Sequence, residues 1–218
     1  MLDYRPVLNI AGALLAILAV AMLVPATFDL AAGSRDWQAF AAAAAVTGFV
    51  GVALILATRQ AGWRTFGIRQ GFLVANLSWL LVALFGALPF VFCELQLSLT
   101  DAIFESMSGI TTTGATVLRD LEAVPPGILL WRAILNWLGG IGIIVMALAV
   151  LPILQVGGMQ LFRVETFSSD QALPRAAEIG FGVAGVYAVL TLGGCVLLWA
   201  LGMGFFDAVV HAMTTIST

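Results

Sequence analysis

Residues 101–112 read DAIFESMSGITT and residues 207–218 read DAVVHAMTTIST, two copies of one pattern 106 positions apart. Asp101 matches Asp207, Ala102 matches Ala208, Met107 matches Met213, Ile110 matches Ile216 and Thr112 matches Thr218. The first copy runs on into TTTGAT (111–116), a hydroxyl-rich turn with one glycine, and each copy follows a long apolar segment. A short polar hairpin recurring between membrane spans is a pattern from which ion-selective pores are built.

Outward from these copies, five stretches lack any Asp, Glu, Lys or Arg: 6–28, 37–58, 70–93, 133–162 and 179–206. Each meets or exceeds the ~20 apolar residues that cross a hydrocarbon core about 30 Å thick. The chain is 61% hydrophobic and 10% charged over 218 residues, against roughly 25% charged in soluble domains, which excludes a soluble fold. In lipid only helices and closed barrels satisfy the backbone, and these runs lack the two-residue alternation of barrel strands. The expected fold is an all-α polytopic membrane protein with helices over about 7–27, 38–58, 71–92, 128–155 and 179–201. The first run exceeds the 7–15 residues of a signal-peptide core and is read as a retained helix, with Pro25 near its outer end.

The layout is two introductory helices and their link (1–69), one complete helix–pore loop–helix unit (70–158), a polar loop (159–178) and a second unit (179–218) truncated at its pore helix. Arg59, Arg64 and Arg69 crowd the link between the second and third runs, and Arg163 and Arg175 lie between the fourth and fifth. With Arg5, these place six of nine arginines on one side, and the positive-inside rule makes that side, with the N-terminus, cytoplasmic. The hairpin at 101–120 then starts and ends outside, so it must dip in and return. The net charge of −3 and the absence of a basic tract give no sign of a nucleic-acid partner; membrane lipid is the expected surrounding.

The chemistry is expected in the hairpin. Thr100 or Asp101 can cap a short helix running to about Met107, with Asp101 favoured by the helix dipole. Gly109 then lets the chain break, and Thr111-Thr112-Thr113-Gly114 returns outward. Non-helical backbone at that depth survives only when buried in protein or lining water. Carbonyl oxygens aimed at an axis can replace a cation's hydration shell, and glycine permits the angles this requires. Glu105 is placed on the short helix behind the turn. The plain alternative is a threonine-rich outer loop, against which the repeat at Asp207–Thr218 argues.

Other residues carry structural readings. Gly139, Gly140 and Gly142 suit close helix approach, with a gating hinge as the sharper alternative. Arg132 is expected to reach the outer interface, Asn136 to bond a neighbouring helix, and His211 to be structural. Cys93 and Cys195, at the outer ends of equivalent helices, are too few for a disulfide framework or zinc, and no transition-metal site is expected. The rival enzymatic class is an intramembrane serine hydrolase with Ser108 as nucleophile and His211 as base. The repeat places them on separate pore helices and no nucleophile-elbow or HExxH motif occurs, so the chain is read as no enzyme.

Three segments, DAIFESMSGITTTGATVL (101–118), WRAILNWLGGIGIIVMALAVLPILQVGGMQLFRVE (131–165) and FFDAVVHAMTTIST (205–218), resemble the Trk/Ktr/HKT superfamily of potassium transporters, most closely the bacterial Trk-type uptake subunit. The resemblance implies four such units around one potassium pathway in the bacterial inner membrane. It also implies a homodimer at full length, a cytosolic nucleotide-binding regulatory subunit on the inner face, K+ as the transported ion and no bound cofactor. By position it makes Thr111, Thr112, Thr113 and Gly114 the first filter segment, and Ser217 and Thr218 the beginning of the second. Because the sequence stops before a second filter glycine, it reads as an N-terminal fragment. A non-conducting membrane assembly subunit is the alternative.

Overall fold

The computed structural model describes residues 4–59, 68–95, 97–119, 121, 124–154 and 172–218; at 68, 145, 147–154 and 172–181 it describes the backbone alone. Gly62, Arg64 and Gly67 of the first inner link, and Arg163, Glu165 and Asp170 of the polar loop, lie outside the described residues. The chain forms α1 (Arg5–Ala32), α2 (Trp37–Ala57), α3 (Ile68–Gly86), α4 (Leu88–Phe92), α5 (Leu99–Ile110), α6 (Pro126–Leu154), α7 (Ala172–Ala200) and α8 (Phe205–Ser217), with no strand among the described residues. Arg5–Ala32, Trp37–Ala57, Arg69–Phe92, Pro126–Ile144 and Gly182–Ala200 are long and apolar enough to cross a membrane. Helices α5 and α8, at 12 and 13 residues, extend only about 18–20 Å at ~1.5 Å per residue.

Helices α1 and α2 form a tight antiparallel hairpin because α2 offers small residues every fourth position. Ala39, Ala43, Thr47 and Gly51 are all buried, while Phe49 on the far side is 77% exposed. A β-carbon on Gly12 would stand 2.8 Å from Gly51 O, and one on Gly51 2.9 Å from Ala16 N, so backbones meet where side chains are missing. Asn9 Nδ2 donates to Thr58 Oγ1 (3.0 Å) at one end of the hairpin. At the other, Asp36 Oδ1 accepts from Glu94 N–H (3.1 Å). Pro25 lies inside α1 rather than at its terminus. The helix runs on to Gly33, whose left-handed backbone (φ 73°) closes it. Neighbouring elements let a membrane helix tolerate an internal proline, and Pro25 is fully buried.

The third span is two helices rather than one. Pro89 has no N–H to offer the Phe85 carbonyl, and the chain turns at Ala87 before α4 begins. Gly86 O is taken instead by the Trp131 indole N–H at 3.0 Å. The core lies where α1, α2, α4, α5 and α6 converge: Leu15, Leu18, Met22, Phe40, Phe90, Ile128, Trp131 and Leu135 are all fully buried, with Phe40 edge-on to Trp131 (centroids 6.3 Å). By contrast α7 carries its apolar side chains outward, among them Val189, Leu192 and Leu197. It is held to α6 by Trp137 Nε1–H donating to Thr191 Oγ1 (3.0 Å) and Tyr187 OH to Trp137 O (3.2 Å).

Candidate functional site

Ser98 caps α5, two or three residues earlier than Thr100 or Asp101 would. Its Oγ accepts from Asp101 N–H (3.2 Å) and donates to Asp101 Oδ2 (2.7 Å). Asp101 thus stabilises the first turn without being the cap. The helix also outlasts Met107, ending at Ile110. Gly109 stays helical because it packs on α6, where a β-carbon would lie 3.0 Å from Leu135 Cβ. The chain reverses two residues later, at Thr112 (φ 56°) and Gly114 (φ 74°). A β-branched residue at positive φ is a genuine outlier, and such backbone persists only where its surroundings over-determine it.

The hydrogen bonds show what holds it. Thr112 N–H donates to Gly109 O (2.9 Å), and Thr113 and Gly114 N–H both donate to Ser108 O (2.9 and 3.4 Å). In a trans peptide the carbonyl points opposite to the N–H that follows it, and no peptide here is cis. The carbonyls of Thr111, Thr112 and Thr113 are therefore turned away from α5, onto the open side where Thr113 and Gly114 are exposed. Ala115 marks the limit, its carbonyl being turned back to accept from Ser108 Oγ at 2.6 Å. Thr111 Oγ1 donates to Met107 O (2.8 Å), so the 2.8 Å contact between the two hydroxyls has Thr113 donating to Thr111.

Behind the turn sits Glu105, 1% exposed, as its position in the sequence led one to expect. Its Oε1 accepts from Thr116 Oγ1 and Val117 N–H (both 2.5 Å) and, more distantly, Leu118 N–H (3.4 Å). Its Oε2 accepts from Arg132 Nε at 2.8 Å. Arg132 is therefore not an interfacial anchor: the buried carboxylate draws it inward. The buried Asn136 Oδ1 has no hydrogen-bond partner among the described residues, so no bond to a neighbouring helix through its carbonyl is seen there.

The glycines of α6 seat the ends of α5 and α8. A β-carbon on Gly139 would fall 2.0 Å from Ile110 O, at the end of α5. One on Gly140 would fall 2.4 Å from Tyr187 OH and 3.2 Å from Ser217 Cα, at the end of α8. A β-carbon on Gly142 would meet nothing within 4 Å among the described residues, so the close approaches seen here are those of the first two. Ser217 is the last helical residue of α8 and Thr218 follows it; both hydroxyls donate to Thr214 O at 2.9 Å. Ser108 and His211 are not brought together: Ser108 is spent on Ala115, and exposed His211 has Nδ1 2.8 Å from Asp207 O of its own helix. That disposes of the hydrolase pair. Among the described residues no group of three or more His, Cys, Asp or Glu could hold a metal ion.

The family model described as TrkH, cation transport protein, matches residues 37–218. The chain belongs to the TrkH family. Relatives include the Trk system potassium uptake protein TrkI of Halomonas elongata, 40% identical over 99% of this chain and 44% of that protein. The Trk system potassium uptake protein TrkH of Escherichia coli K12 is 39% identical over 99% of this chain and 45% of that one. The crystal structure of the potassium transporter TrkH from Vibrio parahaemolyticus superposes with a TM-score of 0.85 at 36% identity, covering 97% of this chain and 42% of that chain. This TrkH-family chain thus spans less than half the length of the relatives it matches, and with its five apolar spans is a multi-span membrane protein. The relatives are named as potassium transporters, not enzymes.

Proposed function

We propose that this chain forms the first quarter, and the beginning of the second, of a potassium uptake pathway. Thr111, Thr112, Thr113 and Gly114 are its first filter segment, and Ser217 and Thr218 begin the next. One observation carries the reading: the N–H groups of 112–114 are drawn back onto α5, which leaves consecutive carbonyls facing outward, the arrangement that substitutes for a cation's water. The names of the relatives supply the ion. The membrane potential suffices to drive entry at about 2.3 kcal/mol per charge per 100 mV.

The division into introductory helices (1–69), first unit (70–158), inner loop (159–178) and second unit (179–218) belongs to the same proposal. So do a bacterial inner-membrane location with cytoplasmic N-terminus, pairing of two complete protomers and a nucleotide-binding regulatory subunit docked inside. The test is potassium-dependent growth of an uptake-deficient bacterium expressing the complete coding sequence with that regulatory subunit. Gly114 sits at φ 74°, so Gly114→Ser forces a side chain into the left-handed region at a cost of about 1–2 kcal/mol. Rescue by wild type, with potassium preference lost in Gly114→Ser, supports the filter. No rescue despite expression of both subunits favours the non-conducting assembly subunit.

A further inference from the structure

We propose that Glu105, clamped by Arg132, is a positioning residue that sets ion preference in the first filter segment, an inference that rests on the filter reading above. The turn at Thr111–Gly114 is held on its helix side by Ser108: its carbonyl takes two N–H groups and its hydroxyl reaches Ala115 O. The strand leaving the turn has a different anchor. Thr116, Val117 and Leu118 donate to one oxygen of Glu105, while the other oxygen takes Arg132 Nε from α6. Three elements therefore meet at one buried carboxylate: the pore helix, the outgoing strand and the next span.

Only an acceptor on both oxygens serves this arrangement. Backbone N–H groups and the Arg132 guanidinium are donors without exception, so an amide at 105 must turn its NH2 toward one of them. The Glu105 side chain is fully buried and that of Arg132 is 21% exposed, and charge-assisted bonds in such surroundings are stronger and shorter than neutral ones. Because Val117 lies three residues beyond Gly114, slack at the carboxylate passes directly into the carbonyls before it.

The test uses the complete protein in the uptake-deficient strain, reading Rb+ uptake against competing Na+ together with the amount of protein in the membrane. Glu105→Gln is expected to lower potassium-over-sodium preference about tenfold. Thr116→Val, which deletes one donor to Glu105 and the 3.0 Å acceptor of Leu118 N–H but leaves the Val117 N–H bond in place, is expected to shift it less and in the same direction. Should Glu105→Gln fail to insert, Thr116→Val decides. Unchanged ion preference in whichever variants insert, with uptake merely tracking membrane protein, overturns the clamp alone. Absence of potassium uptake by the wild type overturns the filter reading and the clamp with it.

Discussion

Replacing Gly139 with alanine is the sharpest perturbation available, because the obstacle is backbone rather than a movable side chain. The new β-carbon would meet Ile110 O at 2.0 Å, Ile110 C at 2.8 Å and Ile110 Cα at 3.1 Å. Ordinary van der Waals contact begins near 3.4 Å, so the end of α5 has to retreat from α6 by about 1.4 Å. Overpacking of this kind costs about 1–3 kcal/mol. The displaced atoms also lie one residue before the carbonyls proposed to hold the ion. We expect potassium uptake to fall at least about tenfold with protein still in the membrane, measured as Rb+ flux per inserted protomer. Gly140→Ala should be milder, since the Tyr187 hydroxyl can swing aside and Ser217 need give only a few tenths of an ångström from 3.2 Å. Gly142→Ala, with nothing within 4 Å among the described residues, should cost less than Gly139→Ala. Wild-type flux in Gly139→Ala, or a loss in Gly142→Ala equal to it, would refute the seating of pore helices on α6.

Three further outcomes follow from the packing. Trp131→Phe removes the donor to Gly86 O and should lower stability in detergent by about 0.6–1.7 kcal/mol, the range of hydrogen bonds between membrane helices; an unchanged thermal midpoint would mean that this carbonyl is served otherwise. Ser98→Ala should cost ~1 kcal/mol by uncapping α5, with Ser98→Asp restoring the midpoint and a neutral alanine refuting the cap. Gly127→Ala would drive a β-carbon to within 2.1 Å of the Asp29 carboxylate. It should therefore reduce inserted protein, while Asp29→Ala in the same chain recovers part of the loss, and strictly additive effects would show that the two sites do not touch.

What the sequence discloses here depends on the range of the interaction responsible. Spans are legible because twenty consecutive apolar residues have one meaning in lipid, and the pore hairpin because Asp101–Thr112 recurs at Asp207–Thr218. The role of Gly139 and Gly140 was readable in kind, since adjacent glycines in a membrane helix signal close approach; that they seat two different pore helices was not. The cap of α5 was misjudged because Ser98, Thr100 and Asp101 are all competent cappers within four residues. The break at Ala87 hid inside an unbroken apolar run, although Pro89 was its signal. Arg132 was misplaced because its partner is 27 residues away on another helix, and no local pattern joins the two. The left-handed backbone at Thr112 had no signal, for a β-branched residue rarely adopts positive φ.

The 12-residue length of α5 also fixes an electrical distance. A helix of about 18 Å entering from one face of a core about 30 Å thick sets the turn at its end near the midplane. If Thr111–Gly114 is the proposed filter, an ion seated there from outside would have fallen through about half of the transmembrane voltage. Half of 2.3 kcal/mol per 100 mV makes its occupancy from outside change about sevenfold per 100 mV. A cation that enters this turn and cannot pass would accordingly block with the voltage dependence of half a charge, and hyperpolarisation would tighten the block.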